Sequence, residues 1–87
     1  MNPSKSTIHL LYFAKLGEDL GLTDEALQVD TGIHLRELIE MLGSRGDKWQ
    51  QVNAQHIRCA VNQTIVNDNP ILTDGDEIAF FPPVTGG

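Results

Sequence analysis

The sequence predicts an α+β roll: one sheet of mixed strand direction, with four to five strands and one main helix packed on one face. Three observations carry that expectation. Short β-rich runs open and close the chain, one clearly amphipathic helical segment lies between them, and strong turn signals separate the pieces. With 87 residues, 40% apolar and 21% charged, the chain has material for a single core and no second one.

The elements follow in order. Thr7 to Ala14 is expected as the first strand, closed by the turn-prone run KLGEDLGL with Gly17 and Gly21. Ala26 to Val29 reads as a weaker second strand, and the short connection favours an antiparallel hairpin. Leu35, Leu38, Ile39 and Leu42 then recur at helical spacing on one face. Thr31 or Asp30 is the expected cap of that helix, and Gly43 or Gly46 the expected left-handed residue at its end. Ile57 to Val66 reads as a third strand or a bent pair of short ones, followed by the turn NDNP. A second turn in LTDGDE leads to a last strand, Glu77 to Phe81, which Pro82 stops. Strands, helix and returning strands in this order make a roll of the β-grasp type. The domain is expected over residues 7–81, with residues 1–6 as a flexible extension and 82–87 as an extended tail.

Strand parity gives the first functional expectation. Ile8, Leu10 and Tyr12 point to one face while Leu11 and Phe13 point to the other, and Phe80 and Phe81 must also part company. A single helix covers one face only. Either the loops around Trp49 cover the second face, or it is a protein docking surface; the size of the apolar side chains favours docking.

Composition narrows the function classes. A formal charge of −6 is opposite in sign to a nucleic-acid module and suits a basic partner surface or simple solubility. The one cysteine, Cys59, lies in an apolar strand with no basic cluster near it, as expected of a buried structural thiol rather than a reactive one. His9, His34 and His56 fall in three elements without ligand spacing, so no metal site is expected. DGDE lacks the other positions of a calcium loop. No nucleophile–base set, phosphate loop or dinucleotide motif is found. The opening MNPSKSTIHLLYFAK has an apolar run far short of the roughly 20 residues of a membrane span, and the expected location is the cytoplasm.

The final segment carries the chemistry. Pro82 and Pro83 donate no amide hydrogen bonds, so the tail is expected to leave the sheet extended, reaching roughly 20 Å. Gly86 and Gly87 have no Cβ and can thread a narrow channel. Such an arm presents a terminal carboxylate. Converted to a mixed anhydride with AMP, the carboxyl carbon opens to attack by sulfur or by an amine.

AVNQTIV (Ala60 to Val66), LTDGDEIAFFPPVTGG (Leu72 to Gly87) and LLYFAKL near the start closely resemble the small subunits of molybdopterin synthase, the ubiquitin-like sulfur carriers of molybdenum cofactor biosynthesis. The resemblance runs along nearly the whole chain in order; residues 17–29 and 43–56 match only in pattern. It implies a β-grasp fold and a Gly87 carboxylate adenylylated by a ubiquitin-activating-like enzyme with ATP, then converted to a thiocarboxylate. It also implies insertion of the tail, Pro82, Pro83, Val84, Thr85 and Gly86 included, into a large subunit, commonly in a 2+2 heterotetramer. There the sulfur passes to cyclic pyranopterin monophosphate to build the dithiolene. The carrier itself binds no cofactor, and the catalytic residues belong to the large subunit. The family's apolar docking positions match Phe13, Ile65 and Phe81. Two other classes stay open: a related Gly-Gly carrier for thiamine, tRNA thiolation or protein conjugation, and an interaction domain whose Gly-Gly end is incidental.

Overall fold

The computed structural model describes residues 4–82. The order is β1 (Lys5–Tyr12), α1 (Ala14–Leu20), β2 (Asp24–Asp30), α2 (Leu35–Gly43), a 3-10 helix (Asp47–Asn53), β3 (Arg58–Val61), β4 (Thr64–Val66) and β5 (Glu77–Phe81). The strands form one sheet in the order β2-β1-β5-β3-β4. β1 and β5 run parallel at its centre and the other neighbours are antiparallel, which is the mixed β-grasp arrangement.

The hairpin of β1 and β2 and the burial of alternate residues Ile8, Leu10 and Tyr12 are as the sequence predicts. The connection between these strands is not. KLGEDLGL, expected as a turn, forms most of α1, whose Leu16 and Leu20 enter the core one turn apart. Ala14, expected at the end of a strand, instead opens this helix at φ 56°. Gly17 is required there: a Cβ at that position would sit 2.5 Å from the Tyr12 carbonyl oxygen. The first strand itself begins earlier than expected, at Lys5.

The caps of α2 also differ. Asp30 still belongs to β2, and Gly32 (φ 88°) turns the chain before the helix begins, so neither Asp30 nor Thr31 reaches its first turn. His34 is the capping residue, and its N–H donates to the Glu37 carboxylate at 3.0 Å. The NDNP turn supplies the rest: Asn69 Oδ1 accepts from the Arg36 N–H at 2.7 Å and the Pro70 carbonyl from the Leu35 N–H at 2.9 Å. At the other end Gly43 is still helical and Ser44 closes the helix in a right-handed conformation, while the Gln50 amide donates to the Gly43 carbonyl at 2.7 Å.

Both α-helices and the 3-10 helix pack on one face of the sheet. Leu16, Leu20, Leu35, Leu38, Leu42 and Val52 share a core with the inward residues of β1, β2, β3 and β5. Trp49 belongs to this side as well, edge-on to Tyr12 at 5.5 Å between ring centroids. The loops around Trp49 therefore cover the inner face rather than the outer one.

Candidate functional site

The outer face is built by register. Asp24, Leu11, Ala79, Ala60 and Ile65 are successive cross-strand partners and form one row across all five strands. The next row toward the end of β5 holds Phe81 opposite Arg58, with Phe13 just beyond β1 on the same side. Phe13 is 48% exposed and Ile65 55% exposed, whereas Tyr12 and Phe80, one residue away on the inner face, are sealed. Phe81 and Pro82 are half-buried. The structure thus brings Phe13, Ile65 and Phe81 to one face of the sheet, whereas Pro82, one residue beyond Phe81, lines a groove on the helix side with Leu16, His56 and Ile57. Pro83, Val84, Thr85, Gly86 and Gly87 lie outside the described residues.

Two polar clusters hold this face in place. In one, Asp76 accepts hydrogen bonds from the Thr73 N–H at 2.8 Å, the Thr73 hydroxyl at 3.0 Å and the Asn62 amide at 2.9 Å. Burial alone pushes the Asp76 carboxyl up, but these donors outweigh it and hold the group below its ordinary range. Asn62 Oδ1 also accepts from the Glu77 N–H at 3.0 Å, and the Asn62 N–H donates to the Glu77 carbonyl at 2.8 Å. Asn62 (φ 52°) and Gln63 (φ 70°) form the two-residue turn of the β3–β4 hairpin, where positive φ at both positions matches the strand twist. The start of β5 and the hairpin carrying Ile65 are thereby tied together.

The second cluster lies behind the outer face. The Tyr12 hydroxyl donates to Glu25 at 2.8 Å, and Arg45 grips the same carboxylate at 2.7 and 3.2 Å while its guanidinium stacks 4.5 Å from the Trp49 ring. Tyr12 also stacks on Phe80 with centroids 5.8 Å apart. Burial, and then the Glu25 carboxylate, pushes the Tyr12 phenol well above its usual range. For Glu25, burial acts upward, but the bonds from Arg45 and Tyr12 and the Arg45 charge prevail and lower it. Sequence reasoning missed both clusters. An Asn in a turn between two short strands signals a positive φ, but nothing local links Glu25 to Arg45 twenty residues on.

None of this is acid–base machinery. The Cys59 thiol is buried and pushed up to about 11, far from a reactive thiolate. His9, on the outer face of β1, His34, bonded to Glu37 at 3.2 Å, and His56, beside the tail root, stand in separate places. Among the described residues the site is a shaped apolar surface beside the point where the tail leaves.

The ThiS family model matches residues 10–87. The molybdopterin synthase sulfur carrier subunit of Escherichia coli is 41% identical over 83 residues, covering 92% of this chain and 99% of the relative. That of Haemophilus influenzae is 38% identical over 82 residues with the same coverage, 92% and 99%. Among solved structures, the putative molybdopterin converting factor subunit 1 of Pyrococcus furiosus has a TM-score of 0.78 at 29% identity, covering 91% of this chain and 99% of its own. A chain from the complex of subunits 1 and 2 of the Helicobacter pylori molybdopterin-converting factor gives 0.67 at 24% identity, covering 93% and 99%. The small archaeal modifier protein SAMP1 of Haloferax volcanii gives 0.76 at 23%, covering 94% and 100%. The last two likenesses speak to the fold alone. The family match, running from the middle of β1 through the last residue, and the near-complete relatives settle the affiliation: the chain belongs to the ThiS family.

Proposed function

We propose that this chain is the sulfur carrier of molybdopterin synthase, acting in the cytoplasm and delivering sulfur from its Gly87 terminus. One observation carries the reading: identity to curated sulfur carrier subunits spans 92% of the chain and 99% of the relative's length. The Gly87 carboxylate attacks the α-phosphorus of ATP on an activating enzyme, releasing pyrophosphate and leaving an acyl adenylate. Sulfur from a donor then adds to the carboxyl carbon and AMP departs, giving a thiocarboxylate. On the large subunit the thiocarboxylate sulfur displaces an oxygen substituent from a side-chain carbon of the pyranopterin precursor, which leaves as water or phosphate. Water then hydrolyses the thioester, restoring the Gly87 carboxylate and leaving the sulfur on the pterin.

In this reading the chain supplies shape rather than catalysis. Phe13, Ile65 and Phe81 present apolar surface to each partner in turn. Pro82 and Pro83 direct the segment Val84, Thr85 and Gly86 toward the partner, and Gly86 and Gly87, without Cβ atoms, enter its narrow channel. The carrier holds no cofactor; ATP binds the activating enzyme. The Helicobacter pylori complex of subunits 1 and 2 supports a large-subunit partner, for which a 2+2 assembly is proposed. The cytoplasmic assignment is compatible with the absence, among the described residues, of any helix long and apolar enough to cross a membrane.

The test is the intact mass of the chain after incubation with the activating enzyme, ATP and a sulfur donor. Replacement of one oxygen by sulfur, mapped to Gly87 and reversed by adding large subunit and precursor, is the expected result. Deletion of Gly87 abolishes it without unfolding the domain. A terminus joined to a lysine would make the chain a protein modifier instead, and an unchanged mass with a demonstrably active enzyme would refute the carrier reading.

A further inference from the structure

The sheet is five strands wide with β5 in the middle, so a two-fold axis laid along β5 in front of the outer face turns the sheet onto itself. That rotation carries β1 over β3 of a second copy and β2 over β4. The two flanks of β5 differ in a complementary way. β1 presents Leu11 level with Ala60 of β3, and Phe13 level with Arg58. Phe13 keeps that level because its N–H donates to the Phe80 carbonyl at 3.0 Å, continuing the pairing of β1 with β5. Ala60 and Ala79 point outward yet are each only 7% exposed, so they floor a hollow between the taller Leu11, Ile65 and Phe81. Glu18 and Asp24 line one groove with Phe13, and neither they nor Arg58 make an ion pair among the described residues. Lys15 lies on the other flank of α1, beside Asp19, and Arg58 also borders a helix-side groove that holds Asp68.

We propose that two copies of this chain pair face to face through the outer surface, about the β5 axis. Leu11 of each copy fills the hollow over Ala60 of the other, and the two Phe81 rings meet on the axis. Arg58 of each copy reaches the Phe13 ring of the other, where Glu18 and Asp24 supply the opposite charge. An axis laid across the strands instead would set Phe81 over Glu77 and Phe13 over His9, pressing a carboxylate against a ring. Opposing the pair are the net charge of −6 on each copy and Glu77, which faces its own counterpart at the far end of β5. The face spans roughly 20 Å across the strands and 13 Å along β5, well short of the roughly 1,200 Å² in total that a stable interface buries, so the pair is weak and exchanges. This goes beyond the carrier reading and holds or fails without it: while it lasts, the pair hides Phe13 and Phe81 from any other partner.

The experiment is sedimentation equilibrium of the full chain alone, from about 10 μM to 1 mM at roughly physiological salt. A reversible dimer that dissociates within this range is the expected result. Arg58→Glu should weaken it at least about tenfold, and adding Glu18→Lys and Asp24→Lys to that variant should recover most of the loss. The same two reversals placed at Glu40 and Asp47, on the helical side, change the net charge equally and should not. Glu77→Gln should tighten the dimer about threefold, by removing the like charges on the axis. Circular dichroism checks that each variant is folded. A chain that stays monomeric throughout refutes the pairing, and a dimer indifferent to Arg58→Glu and Glu77→Gln is joined by another surface and refutes it too. Neither outcome touches the carrier reading, which the terminal mass change decides.

Discussion

Replacing Asn62 by Gly tests whether the cluster that ties β5 to the β3–β4 hairpin carries stability. Glycine keeps the left-handed backbone at this position, so only the side chain is lost. Its amide donates to the charged, part-buried Asp76 at 2.9 Å, a bond worth about 1.5 kcal/mol at the low end of its class because Thr73 still supplies two donors. Its carbonyl oxygen accepts from the exposed Glu77 N–H, for about 0.5 kcal/mol. Relief of the left-handed backbone roughly cancels glycine's freer unfolded chain, leaving a loss of about 2 kcal/mol. For a domain of this size that is a fall in Tm of about 8–16 °C. Asn62→Ala loses the same bonds and keeps a Cβ at φ 52°, so it should be less stable than the glycine variant by about 0.5–1 kcal/mol. Urea unfolding at pH 7 measures both. A glycine variant within about 0.5 kcal/mol of wild type, close to the scatter of ordinary surface substitutions, would refute the assignment.

The acid arm of the same experiment has a definite sign. Asp76 is held below its ordinary value of 3.8 in the fold, so its contribution is fully present above that pH and is lost as pH falls through the folded value. Removing the Asn62 donor brings the two values closer, and the glycine variant should lose stability less steeply below about pH 4 than wild type does.

Three other outcomes follow from the structure. Gly17→Ala places a methyl only 2.5 Å from the Tyr12 carbonyl oxygen and should cost about 1–3 kcal/mol by thermal or urea unfolding. Cys59, with its thiol pushed up to about 11 by burial, should react with a disulfide reagent at pH 8 at least about tenfold more slowly in the folded chain than in denaturant. Phe13→Ser and Ile65→Ser, at half-exposed positions, should change unfolding free energy by less than about 1 kcal/mol while lowering partner affinity at least about tenfold by calorimetry.

The strands were legible because their burial alternates or runs apolar, and α2 because its apolar stripe has one period. α1 was not, since a helix of seven residues gets little from its own propensity and exists through docking Leu16 and Leu20. Its glycines read as turn signals, yet Gly17 is there for close packing and only Gly21, at φ 82°, ends the helix. Beyond the local pair His34 and Glu37, the first turn of α2 is capped by Asn69 and Pro70, more than thirty residues downstream, which no local pattern reveals. Strand parity alone placed Phe13 opposite the core. Ile65 needed register as well, because its face is defined only by pairing with Ala60.

The two polar clusters explain how the surface around Phe13, Ile65 and Phe81 is held so firmly. β5 is fixed near its start by Asp76 and Asn62, and near its end by Phe80 stacking on Tyr12, which Glu25, Arg45 and Trp49 hold in turn. Phe81 and Pro82 follow directly from that clamped strand, so the point and direction in which the chain leaves the sheet are properties of the core. In the proposed carrier role the arm reaches into a partner, and a fixed root then sets where that arm starts. A core substitution such as Tyr12→Phe, which breaks the hydroxyl link to Glu25 while keeping the ring stack, therefore belongs among the controls of any delivery assay.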